Sequence, residues 1–292
     1  MSSARRNLEG ALVMAGAMTA FTVNDTFVKL LAERLPIGQI MTLRGLAVLP
    51  LLLLLLRAQA GRLALHAVFE PWVLARAAAE TVTSWLFLAS IAALPLADAM
   101  VLFFSAPILL TVAAALFLAE PVGWRRWTAV LVGFSGVALA AAPAGSWSPA
   151  VLLPLAAATT SVVRDLVTRR IAPGVPTAAV SIATAGMVAL SGLASLPWGW
   201  PVPTAGELGL LVLCAVLLAA GYQGFVHAVR TAELSLVSPI RYVSVPIAML
   251  TGFLFWRHLP DGRMFAGAVL IVGSGLFILW RAHRLARAER GR

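Results

Sequence analysis

The chain has 292 residues, of which 61% are hydrophobic and 12% charged, against about 45–50% and about 25% in a soluble domain. That excess excludes an ordinary soluble fold and matches a bilayer, where each spanning helix uses about 20 mostly apolar residues and a chain of this length has room for roughly ten. Lys and Arg total 22 against 12 Asp and Glu, a net charge of +10; on so apolar a chain this marks cytoplasmic loops rather than nucleic-acid binding. The single cysteine, Cys214, excludes a disulfide framework and a cysteine-ligated metal. Four scattered histidines add no ligand spacing, so no metal or cofactor is expected.

Apolar stretches bounded by Pro, Gly, Trp and Arg predict helices at about Glu9 to Leu31, Ile37 to Leu56, Pro71 to Leu94, Leu96 to Ala119, Trp124 to Ala142, Pro149 to Val167, Pro176 to Leu196, Glu207 to Arg230, Leu234 to Trp256 and Arg263 to Trp280. The first has basic and small residues in a signal-like order, but the internal repeat below requires it, so it is expected to be retained. With a cytoplasmic N-terminus, the inner ends carry fourteen arginines, including Arg5, Arg57, Arg125, Arg170 and the tail from Arg281 to Arg292. The outer ends carry four basic residues, Lys29, Arg34, Arg257 and Arg263. This bias predicts both termini inside, in a cell (inner) membrane. Eight of nine tryptophans fall at helix ends or in loops, as at a headgroup layer, and Trp85 alone lies well inside a helix.

Shifting the sequence by 139 positions aligns Ser105-Ala106-Pro107-Ile108 with Ser244-Val245-Pro246-Ile247, Pro121-Val122-Gly123 with Pro260-Asp261-Gly262, and Ser135-Gly136 with Ser274-Gly275. An offset of 140 pairs Asp25 with Asp165, Lys29 with Arg169 and Pro36 with Pro176. Helices 1 to 5 therefore correspond to helices 6 to 10. Five is odd, so the halves enter the membrane from opposite sides, an arrangement that gives two nearly equivalent packings and hence alternating access. The expected fold class is an all-α integral membrane protein of ten transmembrane helices in two inverted five-helix repeats, residues 1–146 and 147–292.

Ten helices as five plus five, with Asn24-Asp25 and Lys29 on helix 1 and Pro121 with Gly123 after helix 4, resemble the drug/metabolite transporter superfamily, in particular its EamA family. The resemblance implies export of amino acids or related metabolites, as by the YddG-like aromatic amino acid exporters. It also implies a central cavity lined by helices 1, 3, 4, 6, 8 and 9. Carried onto this chain, that expectation falls on Ser84, Trp85, Phe103, Ser105, Tyr222, Gln223 and Tyr242, an aromatic box suited to an apolar side chain by stacking and burial. Core packing is the alternative for each of them. The family's helix 1 lysine implies that Lys29 closes the outer vestibule and its equivalent Arg169 the inner one.

Ionisable groups facing lipid cost about 2.5–3.5 kcal/mol each on insertion scales, so those inside spans should face a cavity or a partner. Asn24, Asp25, Arg44, Arg76, Glu80, Arg164, Asp165, Gln223, His227 and Arg241 are such positions. Glu80 and Arg44 reach similar depth, and either pair structurally or present an anion and a cation to a zwitterionic substrate; Arg76, four residues before Glu80, competes for it. Asp25 with Lys29 and Asp165 with Arg169 are acids four residues before bases, read as ion pairs that act structurally or in gating, with Asp25 the better coupling residue. His227 reads as a proton relay or as a histidine bonded to its surroundings. Pro107 and Pro246 interrupt helices 4 and 9 at equivalent points, as hinges of a gate. Gly133, Gly136, Gly273 and Gly275 permit close packing of helices 5 and 10, within the chain or across a homodimer.

The predicted function is a secondary transporter that exports a small amphipathic metabolite, an aromatic or other neutral amino acid above others. A nucleotide-linked metabolite or drug-like cation is the alternative cargo. No G-x-x-x-x-G-K-[ST] loop is present, so ATP coupling within the chain is not expected. An intramembrane aspartyl protease would need Asp25 and Asp165 within a few ångströms, which the inverted repeat opposes; no enzyme is expected. The implied partners are the substrate and the lipid bilayer, with no nucleic acid.

Overall fold

A computed structural model describes residues 3–60, 65–117, 123–141, 148–168, 170–231 and 240–290. Among these there is no strand, and eleven α-helices follow one another. They are α1 (Ser3–Ala32), α2 (Ile37–Ala60), α3 (Pro71–Ala93), α4 (Leu96–Phe103), α5 (Ala106–Phe117), α6 (Trp124–Ala140), α7 (Leu152–Thr168), α8 (Thr177–Gly192), α9 (Ala205–Thr231), α10 (Ser244–Trp256) and α11 (Gly262–Arg290). Short 3₁₀ turns precede α7 (Pro149–Val151), follow α8 (Leu193–Trp198) and precede α10 (Arg241–Val243). Six stretches of the described residues are long and apolar enough to cross a membrane: Leu8–Ala32, Ile37–Ala58, Leu96–Ala113, Pro149–Thr168, Thr177–Trp198 and Ala205–Phe225.

Local chemistry accounts for several helix ends. Glu70 caps α3 by accepting from the Val73 N–H at 2.8 Å, and Pro71 occupies the first turn, where a missing N–H costs nothing. Helix 4 of the sequence reading is two helices, α4 and α5, separated at Phe104-Ser105. Pro107 cannot donate, so it stands in the first turn of α5 and the chain breaks just before it. Pro246 takes the same place in the first turn of α10, after the turn at Arg241–Val243. The last helix runs ten residues past Trp280, because the tail is rich in Ala, Arg and Leu, all good helix formers. Pro121 and Arg169 lie outside the described residues.

The most extensive helix pairs are α1 with α9, α6 with α11, α2 with α8 and α3 with α7, and α3 with α8, α2 with α9, α1 with α10 and α4 with α10 also pack together. One apolar core joins the C-terminal half of α1 to α2, α3, α4 and α9 through Val28, Leu31, Ile40, Ile91 and Leu211. A second lies between α6 and α11, around Val130, Val137, Met264 and Ile271. Large apolar side chains such as Leu54, Leu131, Val212 and Phe265 stand exposed on the outer faces of the bundle, as residues in contact with acyl chains do.

Candidate functional site

A cavity of about 430 Å³ lies inside the bundle, between α1, α2, α3, α4, α7, α8 and α9 and the turn before α10. It occupies the half containing the N-terminal parts of α1 and α3 and the C-terminal parts of α2, α7 and α9, as Met18, Leu52, Arg76, Thr168 and Phe225 in its wall show. Its wall carries seven ionisable groups, Arg44, Arg76, Arg164 and Arg241 with Asp25, Glu80 and Asp165. It also carries aromatic rings: Phe87 and Phe103 stack tilted with centroids 4.9 Å apart, and Phe21 meets Tyr222 edge-on at 5.4 Å.

Glu80 pairs with neither Arg44 nor Arg76. Its carboxylate accepts from Arg164 Nη1 at 2.7 Å, because the α3–α7 contact brings together two side chains 84 positions apart in sequence. The same guanidinium holds the adjacent Asp165 at 2.8 Å. Arg76 turns instead to α8 and donates to Thr184 Oγ1 at 2.7 Å. Asp25 forms no ion pair with Lys29; it accepts from the Asn24 amide at 2.9 Å. Of the sequence-predicted residues, Asn24, Asp25, Arg44, Glu80, Ser84, Phe103, Asp165 and Tyr222 line the cavity, and Trp85, Ser105, Gln223 and Tyr242 do not. Trp85 donates to Ser191 Oγ at 3.0 Å and packs in the α1–α4 core. Tyr242 is buried with its ring 5.4 Å from Phe104 and its hydroxyl against Gly275. His227 is 3.6 Å from Glu9 and does not line the cavity. Neither proline lines it.

The opposite end of the bundle is closed by polar contacts. Lys29 Nζ donates to the Ile91 and Leu94 carbonyls, the second at 2.7 Å, and lies 5.4 Å over the Trp256 ring. It thereby ties α1 to the last turn of α3, where a cation complements the helix dipole. Trp256 Nε1 donates to Glu33 at 2.7 Å. Arg34 bridges to Glu207 at the start of α9, which raises the pKa of its guanidinium, and Gln39 donates to the Pro201 carbonyl at 2.8 Å.

Sequence reasoning named Arg76, Arg164 and Arg241 as deep charges without placing them in the site, and gave no sign of Phe21, Phe104 or Phe225. The arginines were detectable by depth alone, whereas a phenylalanine in an apolar helix carries no comparable signal.

Residues 8–142 match the model of the EamA-like transporter family. A riboflavin transporter of Rhizobium johnstonii is 31% identical over 72% of this chain and 70% of its own. A riboflavin transporter of Vibrio cholerae is 27% identical over 99% of both chains, and the pseudopaline exporter CntI of Pseudomonas aeruginosa is 29% identical over 90% and 93%. A solved crystal structure superposes with a TM-score of 0.58 over 97% of this chain and 99% of its own, at 20% identity, and supports the fold alone. The chain is a multi-pass membrane protein of the EamA-like transporter family, a drug/metabolite transporter and not an enzyme.

Proposed function

We propose that the chain is a secondary carrier working by alternating access, with ten spans in two inverted repeats, residues 1–146 and 147–292, and both termini on the cytoplasmic side of an inner membrane. The observation that carries this reading is a central cavity displaced toward one end of the bundle, with the other end held together by Lys29, Glu33 and Arg34. Helix pairing supports the repeat: exchanging the halves turns the α1–α9 contact into the α7–α3 contact and maps α2–α8, α4–α10 and α6–α11 onto themselves. Rocking one half against the other would open the latched end and close the opposite one.

The cargo in this reading is a small amphipathic metabolite with a planar apolar part, held by the Phe87–Phe103 wall. An aromatic amino acid fits that description. A larger heteroaromatic cargo is the second reading, favoured by two relatives named riboflavin transporters. A homodimer is not required, since α6 and α11 already pack together within the chain.

Counterflow tests this: proteoliposomes preloaded with an unlabelled amino acid or riboflavin should take up the labelled compound without an ion gradient. Uptake specific to one compound supports the carrier and ranks its cargo. No uptake of any compound, with or without a proton gradient, overturns the proposed cargo class.

A further inference from the structure

We propose that Arg44 is the docking point for a single oxyanion, a carboxylate or a phosphate, on the transported molecule. This rests on the carrier reading above. Arg44 lies on α2 with 9% of its surface exposed, and it lines the cavity. Among the described residues no acceptor lies within hydrogen-bonding distance of its guanidinium, and no carboxylate lies within ion-pair distance. A guanidinium has five N–H donors and does not lose its proton, so one that lines a cavity with no protein acceptor has its donors available to an oxyanion entering that cavity.

The neighbouring charges do not supply one. Glu80 and Asp165 are both engaged by Arg164, at 2.7 and 2.8 Å. Asp25 is an electrostatic neighbour of Arg44, but its hydrogen bond comes from Asn24. Arg76 spends a donor on Thr184, and Arg241 lies 5.5 Å over the Phe225 ring. With four arginines against three carboxylates in the wall, the cavity has an excess of one positive formal charge. One anionic group restores balance, and the planar fork of Arg44 offers it paired N–H donors. The Phe87–Phe103 pair borders the same cavity, so the cargo is an oxyanion on a planar apolar body.

The test uses the full-length protein in nanodiscs and calorimetric titration with two matched pairs of probes. Riboflavin 5′-phosphate is compared with riboflavin, and L-phenylalanine with 2-phenylethylamine, which lacks its carboxylate. The anionic or carboxylate-bearing member of at least one pair should bind about tenfold or more tightly, as charge-assisted hydrogen bonds predict. Arg44→Gln should abolish that preference while changing the affinity of the other member less than about threefold. Arg44→Lys keeps the charge without the fork, protects against a folding failure, and should give an intermediate preference. Equal affinities within both pairs, or equal losses for both members in both variants, overturn the Arg44 site and leave the carrier reading intact. Binding of none of the four overturns the site as proposed, and counterflow then decides the carrier reading separately.

Discussion

Arg164 of α7 donates to Glu80 of α3 at 2.7 Å while holding its own neighbour Asp165 at 2.8 Å, so one cation serves two carboxylates where the two halves of the chain meet. Removing the shared partner is therefore worse than removing either acid. Arg164→Gln takes the hydrogen-bonded partner from two carboxylates at once and should destabilise by about 3 kcal/mol. Glu80→Gln leaves Arg164 paired with Asp165 and should cost about 1 kcal/mol. Thermal unfolding in detergent checks the order, and a Glu80→Gln protein less stable than Arg164→Gln would break the argument.

Trp85 and Phe103 separate a packing aromatic from a cavity aromatic. The Trp85 indole is bonded to Ser191 of α8 and packed against the apolar core that joins α1, α2, α3, α4 and α9, whereas Phe103 stacks on Phe87 in the cavity wall. Trp85→Ala should lower stability by about 3 kcal/mol and scale transport of bulky and small cargo equally. Phe103→Ala should reduce transport of aromatic cargo by about tenfold relative to small cargo. Competition assays in proteoliposomes measure both ratios.

The contrast shows what is legible in the sequence. Helix positions follow from apolar length and from punctuation by Pro, Gly and Arg, and these fix the ends of α2, α3 and α6 to within a few residues. Charges inside spans are conspicuous because they are costly there, so Asp25, Arg44 and Glu80 stand out. Their partners do not, since the Glu80–Arg164 pair spans 84 positions of sequence and depends on α3 packing against α7 rather than α2. Direction is also hidden: Trp85 and Ser84 are adjacent, yet only Ser84 faces the cavity. The break between α4 and α5 is announced by Pro107, but the 3₁₀ turns are not, because they depend on local backbone closure.

Gly136 of α6 and Gly267 of α11 pack backbone against backbone. A methyl group on Gly267 would lie 2.7 Å from the Gly136 carbonyl oxygen and 2.8 Å from Ala140 Cβ, while Gly273 has nothing within 4 Å. Gly267→Ala should therefore cost about 1–3 kcal/mol by forcing the helices apart. Gly273→Ala should be neutral or stabilising by about 0.5–1 kcal/mol, as expected in a helix interior with room for the methyl. Thermal unfolding of the two variants side by side tests the contact, and equal effects would show that α6 and α11 do not pack as described.

Lys29 holds the closed end through two carbonyls in the last turn of α3, and the sole cysteine of the chain reports on whether that end opens. Cys214 on α9 is fully buried in the same core as Val28 and Leu31, with its thiol 3.8 Å from the Asn24 carbonyl. It reacts with a maleimide only in states where α1 moves away from α9 or the core parts. If the Lys29 contacts exist only in the latched state, deleting them shifts the population toward opening by their full worth, about 1.5–3 kcal/mol for charge-assisted bonds. Lys29→Ala should then raise the rate of Cys214 alkylation by N-ethylmaleimide about tenfold or more. Arg34→Ala removes a bridge whose guanidinium is 46% exposed, a kind of pair that contributes at most about 1 kcal/mol. Its effect should stay below about fivefold. A Cys214→Ala protein fixes the background, and an unchanged rate in Lys29→Ala would mean that the apolar core alone, and not the lysine, keeps this end shut.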